Sequence, residues 1–247
     1  MNRAPTLSRL RGLLLSVGAI GLMFGLGLAP EASAEETKAL AASPQEVASG
    51  DVRGEVRLRK RWREVKDRSN IVVYLEGVPG APPPPPEAVH RIRQHNKSFS
   101  PKVSAVVVGT TVAFPNDDKI FHNVFSMSRS MKFDLGLYKS GTSKSVVATR
   151  PGIVDIYCNI HPSMAAKVLV LDNQHFAVTG EDGTFAIEGV PAGTYPVVAW
   201  QVNGEAYRGE VTVSADEVTT IEIEMSAGRA AHEEHTRKDG TPYGRYR

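Results

Sequence analysis

Polar and apolar residues alternate along much of this 247-residue chain with the period of two that a half-buried strand imposes. Val52, Gly54, Val56 and Leu58 interleave with Arg53, Glu55, Arg57 and Arg59, and Ile71–Leu75 follows as a short apolar run closed by Gly77, Pro79 and Gly80. Val103–Val108 and Thr111–Phe114 predict strands around Gly109. Phe133, Leu135 and Leu137 alternate, as do Ile153, Asp155 and Tyr157, and Lys167–Leu171 completes this group. Beyond Asp172, Phe176–Phe185 reads as a hairpin with Asp182-Gly183 at its turn. A strand then runs to Trp200, and alternating runs follow at Val211 and Val213 and at Ile221, Ile223 and Met225. Short strands at this spacing, with turn residues between them, predict an all-β chain built as antiparallel sandwiches.

The ends and one internal stretch depart from that pattern. Arg3, Arg9 and Arg11 precede an uncharged apolar run, Gly12–Ala29, and Ala32-Ser33-Ala34 supplies small residues before Glu35. Residues 1–34 therefore read as an export signal cleaved after Ala34, which predicts a periplasmic protein with no membrane attachment once the signal is removed. Residues 35–50 are rich in Ala, Glu and Ser and read as a linker. Pro82–Pro86 reads as a stiff polyproline spacer between modules. Residues 226–247 are polar, without a face to bury, and read as a disordered tail. His232 and His235 lie in it beside two glutamates, and no site is assigned to them.

Charge narrows the function classes. The chain carries 29 Lys+Arg against 27 Asp+Glu, and removing residues 1–34 leaves 26 of each sign. A neutral mature protein presents no field that would favour nucleic acid. The basic run between Arg53 and Arg68 is one solvated strand face with the turn after it, rather than a binding patch.

The chemistry concentrates in Cys158-Asn159-Ile160-His161-Pro162-Ser163-Met164, which holds the only cysteine. A thiolate, an imidazole and a thioether on one short loop form a soft donor set suited to copper rather than to calcium or magnesium. A trigonal copper site needs a second imidazole, and His122, between Phe121 and Val124, offers one from a neighbouring strand. Taken singly, each has an ordinary reading: a packed cysteine, a surface histidine, a core methionine, a hydrogen-bonded strand histidine. Zinc accepts the same His and Cys donors, but it gains little from a thioether in fourth place. Pro162 stiffens the loop between two ligands. His90, His95 and His175 are left structural.

Three stretches carry a family likeness: Gly109-Thr-Thr-Val-Ala-Phe-Pro-Asn116, His122-Asn123-Val124 and Tyr157-Cys-Asn-Ile-His-Pro-Ser-Met164. Over residues 87–172 the chain resembles the cupredoxins, and among them amicyanin and plastocyanin. The resemblance implies a Greek-key β-sandwich holding one type 1 copper ion on His122, Cys158, His161 and an axial Met164. It further implies that the Asn123 backbone N–H bonds the cysteine sulfur, and that His161 exposes a ring edge, beside Pro162, to a transient redox partner protein. Residues 173–225, with Asp182-Gly-Thr-Phe185 and Val190-Pro-Ala-Gly-Thr-Tyr195, resemble the carboxypeptidase regulatory-like, transthyretin-like sandwich. That family opens with strands like those in residues 51–81, so the copper-type sandwich is expected to be inserted in a discontinuous second one.

The leading expectation is a periplasmic electron carrier rather than an enzyme, since no acid/base pair or open coordination position is visible. Copper storage or delivery is the first alternative, and adhesion or polymer binding by the second sandwich is the other.

Overall fold

The computed structural model describes residues 48–80, 86–228 and 235–243. The export-signal reading of residues 1–34, and most of the linker and the proline run, lie outside these residues. Every regular element among the described residues is a β-strand.

The chain enters on β1 (Ser49–Lys60), turns into the short β2 (Arg63–Glu64), and crosses to β3 (Val72–Leu75). Alternation in β1 is that of its burial: Val52, Val56 and Leu58 face a core, while Arg57 and Arg59 reach Glu222 and Glu224 on a neighbouring strand, each at 3.2 Å. The chain then builds ten strands of another sandwich. These are β4 (His90–Arg91), β5 (Arg93–His95), β6 (Ser98–Ser100), β7 (Val103–Val107), β8 (Thr111–Pro115), β9 (His122–Ser128), β10 (Met131–Tyr138), β11 (Ser143–Val147), β12 (Gly152–Cys158) and β13 (Ala165–Leu171). It returns through β14 (Phe176–Val178), β15 (Thr184–Pro191), β16 (Gly193–Trp200), β17 (Tyr207–Val213) and β18 (Val218–Ser226).

Pairing sorts these strands. β1 lies between β15, antiparallel, and β18, parallel, while β3 lies between β14 and β16, with β17 beyond. Between the two sheets sits one core, including Val52, Val56, Ile71, Leu75, Val197, Val211 and Ile223. The second sandwich stacks β10-β9-β12-β13-β7 on β11-β8-β4, with Phe99, Phe114, Val124, Ile156 and Val168 between them. Strand β7 is buried on both faces. Val106 points into this core, whereas Val103 and Ala105 join Leu169 and Leu171 against Val72, Phe176 and Trp200 of the first sandwich. Burial on both sides is why residues 103–107 read as an apolar run rather than as an alternation.

Two expectations need correction. Phe176–Phe185 is no hairpin: β14 pairs with β3 and β15 with β1, in opposite sheets. The Asp182-Gly183 turn carries the chain across the core instead. Gly183 has φ +75°, its carbonyl accepts from the Val56 N–H at 2.9 Å, and a Cβ there would collide with the Val56 carbonyl. A glycine is needed, but for a corner. The tail reading also fails in part. Residues 235–243 include a turn, closed by Gly240 N–H on the Arg237 carbonyl at 2.8 Å, and they pack against the end of β12. Aromatic and hydrogen-bonding side chains supply the contacts that a polar composition hid.

Candidate metal centre

The site forms where β9 begins and β12 ends. Cys158 pairs with Val124 across these strands, so a residue at the start of one and a residue at the end of the other fall on the same rim. After Cys158 the chain must reverse quickly into β13. It does so by a turn over His161-Pro162-Ser163-Met164, closed by the Met164 N–H on the His161 carbonyl at 3.1 Å. Proline suits the second position of such a turn because its φ is already set and it has no N–H to satisfy. The Cys158 N–H bonds the Met164 carbonyl at 3.2 Å, fastening the base of the loop.

This brings three donors together. His122 and His161 direct their Nδ1 atoms at one another across 3.1 Å, and these lie 3.8 and 3.6 Å from Cys158 Sγ. A point equidistant from the three is about 2 Å from each, close to a first-row metal–imidazole bond of about 2.0–2.1 Å. The donor set therefore fits a metal ion, and His122, Cys158 and His161 form such a group in the structure. Cys158 and His122 are fully buried, whereas His161 is half-buried. Met164, also fully buried, packs in the same core cluster as Cys158. Pro162 is exposed at the turn. His90, half-buried and outside this group, lies 2.9 Å from the Ser104 hydroxyl.

The electrostatics favour ligation by two of the three donors. Burial pushes the Cys158 thiol up, but the hydrogen bond to His122 and the backbone N–H groups of Asn123, Ile160 and His161 outweigh it and hold the thiol below its ordinary value. The thiolate is the form that binds metal. Burial and the neighbouring His122 charge lower His161, which favours the neutral imidazole with a free lone pair. Burial opposes protonation of His122 as well, yet Cys158 and Asp118 prevail and raise it. Before a metal is bound, His122 and Cys158 thus share a proton that ligation must displace.

Asp118 is a functional residue that sequence reasoning missed. Its Oδ2 lies 2.8 Å from His122 Nε2. A hydrogen on Nε2 leaves the Nδ1 lone pair facing Cys158 and His161, so the carboxylate selects the tautomer. The carboxylate is itself held by the Asn96 and Lys97 N–H groups at 2.6 and 2.9 Å. These two residues form the turn of the β5–β6 hairpin, both at positive φ (52° and 54°), a two-residue turn geometry that costs a lysine something. Burial raises Asp118, but these amides and His122 lower it overall. Asn116 completes the support: it takes the Asp118 N–H at 3.0 Å and donates to the Ile120 and Tyr138 carbonyls at 2.9 and 3.2 Å. A carboxylate four residues before a candidate ligand was the available signal.

Comparison with known proteins assigns the two halves separately. Residues 161–226 match the model of the carboxypeptidase regulatory-like domain. That match includes β13, which by its pairing with β12 and β7 belongs to the metal-bearing sandwich. No curated protein matches the chain. Among solved structures, it is similar to a copper-containing nitrite reductase from Thermus scotoductus SA-01, at 26% identity and TM-score 0.34 over 35% of this chain. Here the chain spans only 23% of the other protein. It is similar to a reduced amicyanin variant, at 22% identity and TM-score 0.33, over 40% of this chain and 98% of that one. It is also similar to a purple cupredoxin from Nitrosopumilus maritimus, at 26% identity and TM-score 0.30, over 33% of this chain and 99% of that one. The described chain is all-β, with a carboxypeptidase regulatory-like stretch, cupredoxins among its structural neighbours, and a His–Cys–His group able to hold a metal ion.

Proposed function

We propose that this protein holds one copper ion on His122, Cys158 and His161, with Met164 as a weak fourth ligand, and carries single electrons. The observation behind this reading is the triangle of soft donors, one thiolate and two imidazoles, with sides of 3.1, 3.6 and 3.8 Å. A bound copper ion supplies a one-electron couple there. The chain's own residues do the rest. Cys158 offers a covalent thiolate, Asp118 fixes the His122 lone pair, and the Pro162 turn holds His161 in place. Donors on strand ends and a closed turn move little, which keeps the cost of rearrangement between oxidation states low.

His161 is the one nitrogen ligand that reaches the surface, with Pro162 and Ser163 exposed beside it. A redox partner protein meets the site there, in a small, brief encounter. The export-signal pattern of residues 1–34 supports a periplasmic location. N-terminal sequencing of the secreted protein, beginning at Glu35, would agree with that.

The test is the visible spectrum with copper(II). An intense charge-transfer band, bleached by ascorbate and restored by an oxidant, is the expected result. Met164→Gln should keep the band and shift the potential. Ser163→Glu should keep it and slow reduction by an external donor. A colourless complex at full copper occupancy would overturn the assignment, and it would favour storage or delivery of the metal.

A further inference from the structure

We infer that the C-terminal segment 235–243 is a clasp on the metal loop, with Tyr243 and Lys238 as positioning residues for the ligand-bearing backbone. This rests on the copper reading above for its consequence, but not for its geometry.

The segment meets the loop and its flanking strands at four places. The Tyr243 hydroxyl donates to the Cys158 carbonyl at 2.5 Å. The same hydroxyl lies 3.0 Å from His235 Nε2. A carbonyl can only accept, so the hydroxyl gives its hydrogen to Cys158, and Nε2 carries the hydrogen that the hydroxyl accepts. The result is a directed chain from His235 through Tyr243 to Cys158, whose members polarise one another. His235 in turn stacks on Tyr157, the residue before the cysteine, with ring centroids 4.1 Å apart and 18° between planes.

Lys238 makes the remaining two of the four contacts. Its backbone N–H donates to Asn159 Oδ1 at 2.9 Å, and its ammonium pairs with Asp134 Oδ2. The other oxygen of Asp134 accepts from Asn123 Nδ2 at 2.7 Å. A shift of register between Asp134 and Leu137 on β10, with Gly136 at φ +64°, bends that strand where the carboxylate does this. Asn123 and Asn159 are the residues that follow His122 and Cys158, and the Asn159 N–H bonds the Asn123 carbonyl at 3.0 Å. The segment therefore bonds the Cys158 carbonyl and the side chain of the residue after Cys158, and it reaches the side chain of the residue after His122 through Asp134.

The chain leaves the other sandwich at Gly228. Where β18 ends, the Ala227 N–H bonds the Arg59 carbonyl at 2.8 Å, and Gln201 takes the Gly228 N–H at 2.8 Å while donating to the Ser226 carbonyl at 2.7 Å. Gly228 is thus fastened to the regulatory-like sandwich, and the described chain resumes at His235 against Tyr157. The Lys238–Asp134 pair is about 40% exposed on both sides, so salt loosens it.

The experiment compares the full chain with Tyr243→Phe, with Lys238→Gln, and with a chain ending at Gly228. In copper-free protein, amide hydrogen exchange across residues 158–164 should accelerate about 2- to 10-fold per hydrogen bond lost. In copper-loaded protein, transfer of copper(I) to an excess of a chelator should accelerate in the same order, and the charge-transfer band should shift. Tyr243→Phe keeps the ring and loses only the hydroxyl, so a segment that merely packs would leave this variant like the parent. Unchanged exchange and release in all three variants would overturn the clasp. Absence of a blue band in the parent would overturn the copper reading instead, while the exchange measurement would still decide the clasp.

Discussion

The two sandwiches have comparable aliphatic cores and opposite habits with polar groups. Among the described residues, seven of the ten buried polar ones belong to the sandwich of the candidate metal centre: Gln94, Ser104, Thr110, Asn116, His122, Asn123 and Ser126. The regulatory-like sandwich has His175, Thr179 and Gln201. Burying such groups is costly unless each finds a partner, so a protein concentrates them only where they have a task. In the regulatory-like sandwich the task is stapling. Thr179 receives the Ile71 N–H at 3.1 Å and donates to the Arg68 carbonyl at 2.6 Å, tying the corner before β3 to the one after β14. In the other, Asn116, Asp118 and His122 form one connected set beside the ligand loop, and Asn123 bonds Asp134. The contrast separates a scaffold from a site.

Four substitutions would break or sharpen that contrast. Cys158→Ala should have the largest effect, removing the charge-transfer band entirely while the regulatory-like sandwich still unfolds cooperatively; visible absorption and denaturant titration read the two halves. Ile223→Ala, in the dry core, should cost about 2–5 kcal/mol through the lost transfer energy and the cavity left behind. At temperatures below unfolding it should leave the spectrum unchanged, and a shifted band would mean that the two cores are not separable. Asp118→Asn should cost about 10- to 100-fold in metal affinity, the usual effect of losing a carboxylate that orients a ligand histidine. A competition titration measures this, and wild-type affinity would remove Asp118 from the site. Arg59→Ala should be nearly silent, below about 1 kcal/mol, because its pair with Glu224 is exposed; chemical denaturation would detect a larger loss.

Much of the candidate site can be read locally, because a turn puts its candidate ligands close together in the chain. Cys158, His161 and Met164 sit on one loop, with Pro162 where a turn wants it. His122 is more distant, and only the apolar alternation around it suggests a strand. Asp118 could not be read in the same way. Its role depends on the Asn96-Lys97 turn, which supplies the two amides that hold it, and no periodicity links those residues. The supposed hairpin at Phe176–Phe185 fails for a related reason. A local turn signal says that the chain reverses, not which strands it pairs with, and the partners of β14 and β15 lie more than a hundred residues upstream.

By itself, then, the sequence determined the class of secondary structure and the loop chemistry. Period-two alternation leaves a strand one way to bury its apolar face, and a thiolate, an imidazole and a thioether within one turn have few other uses. The tertiary structure alone decided which strands share a sheet, that the half-buried Asp118 sets the His122 tautomer, and that Tyr243 and Lys238 return to grip the loop. Each of those rests on one or two hydrogen bonds between residues far apart in the chain. Such a bond leaves no periodic trace, since its geometry exists only once both cores have packed.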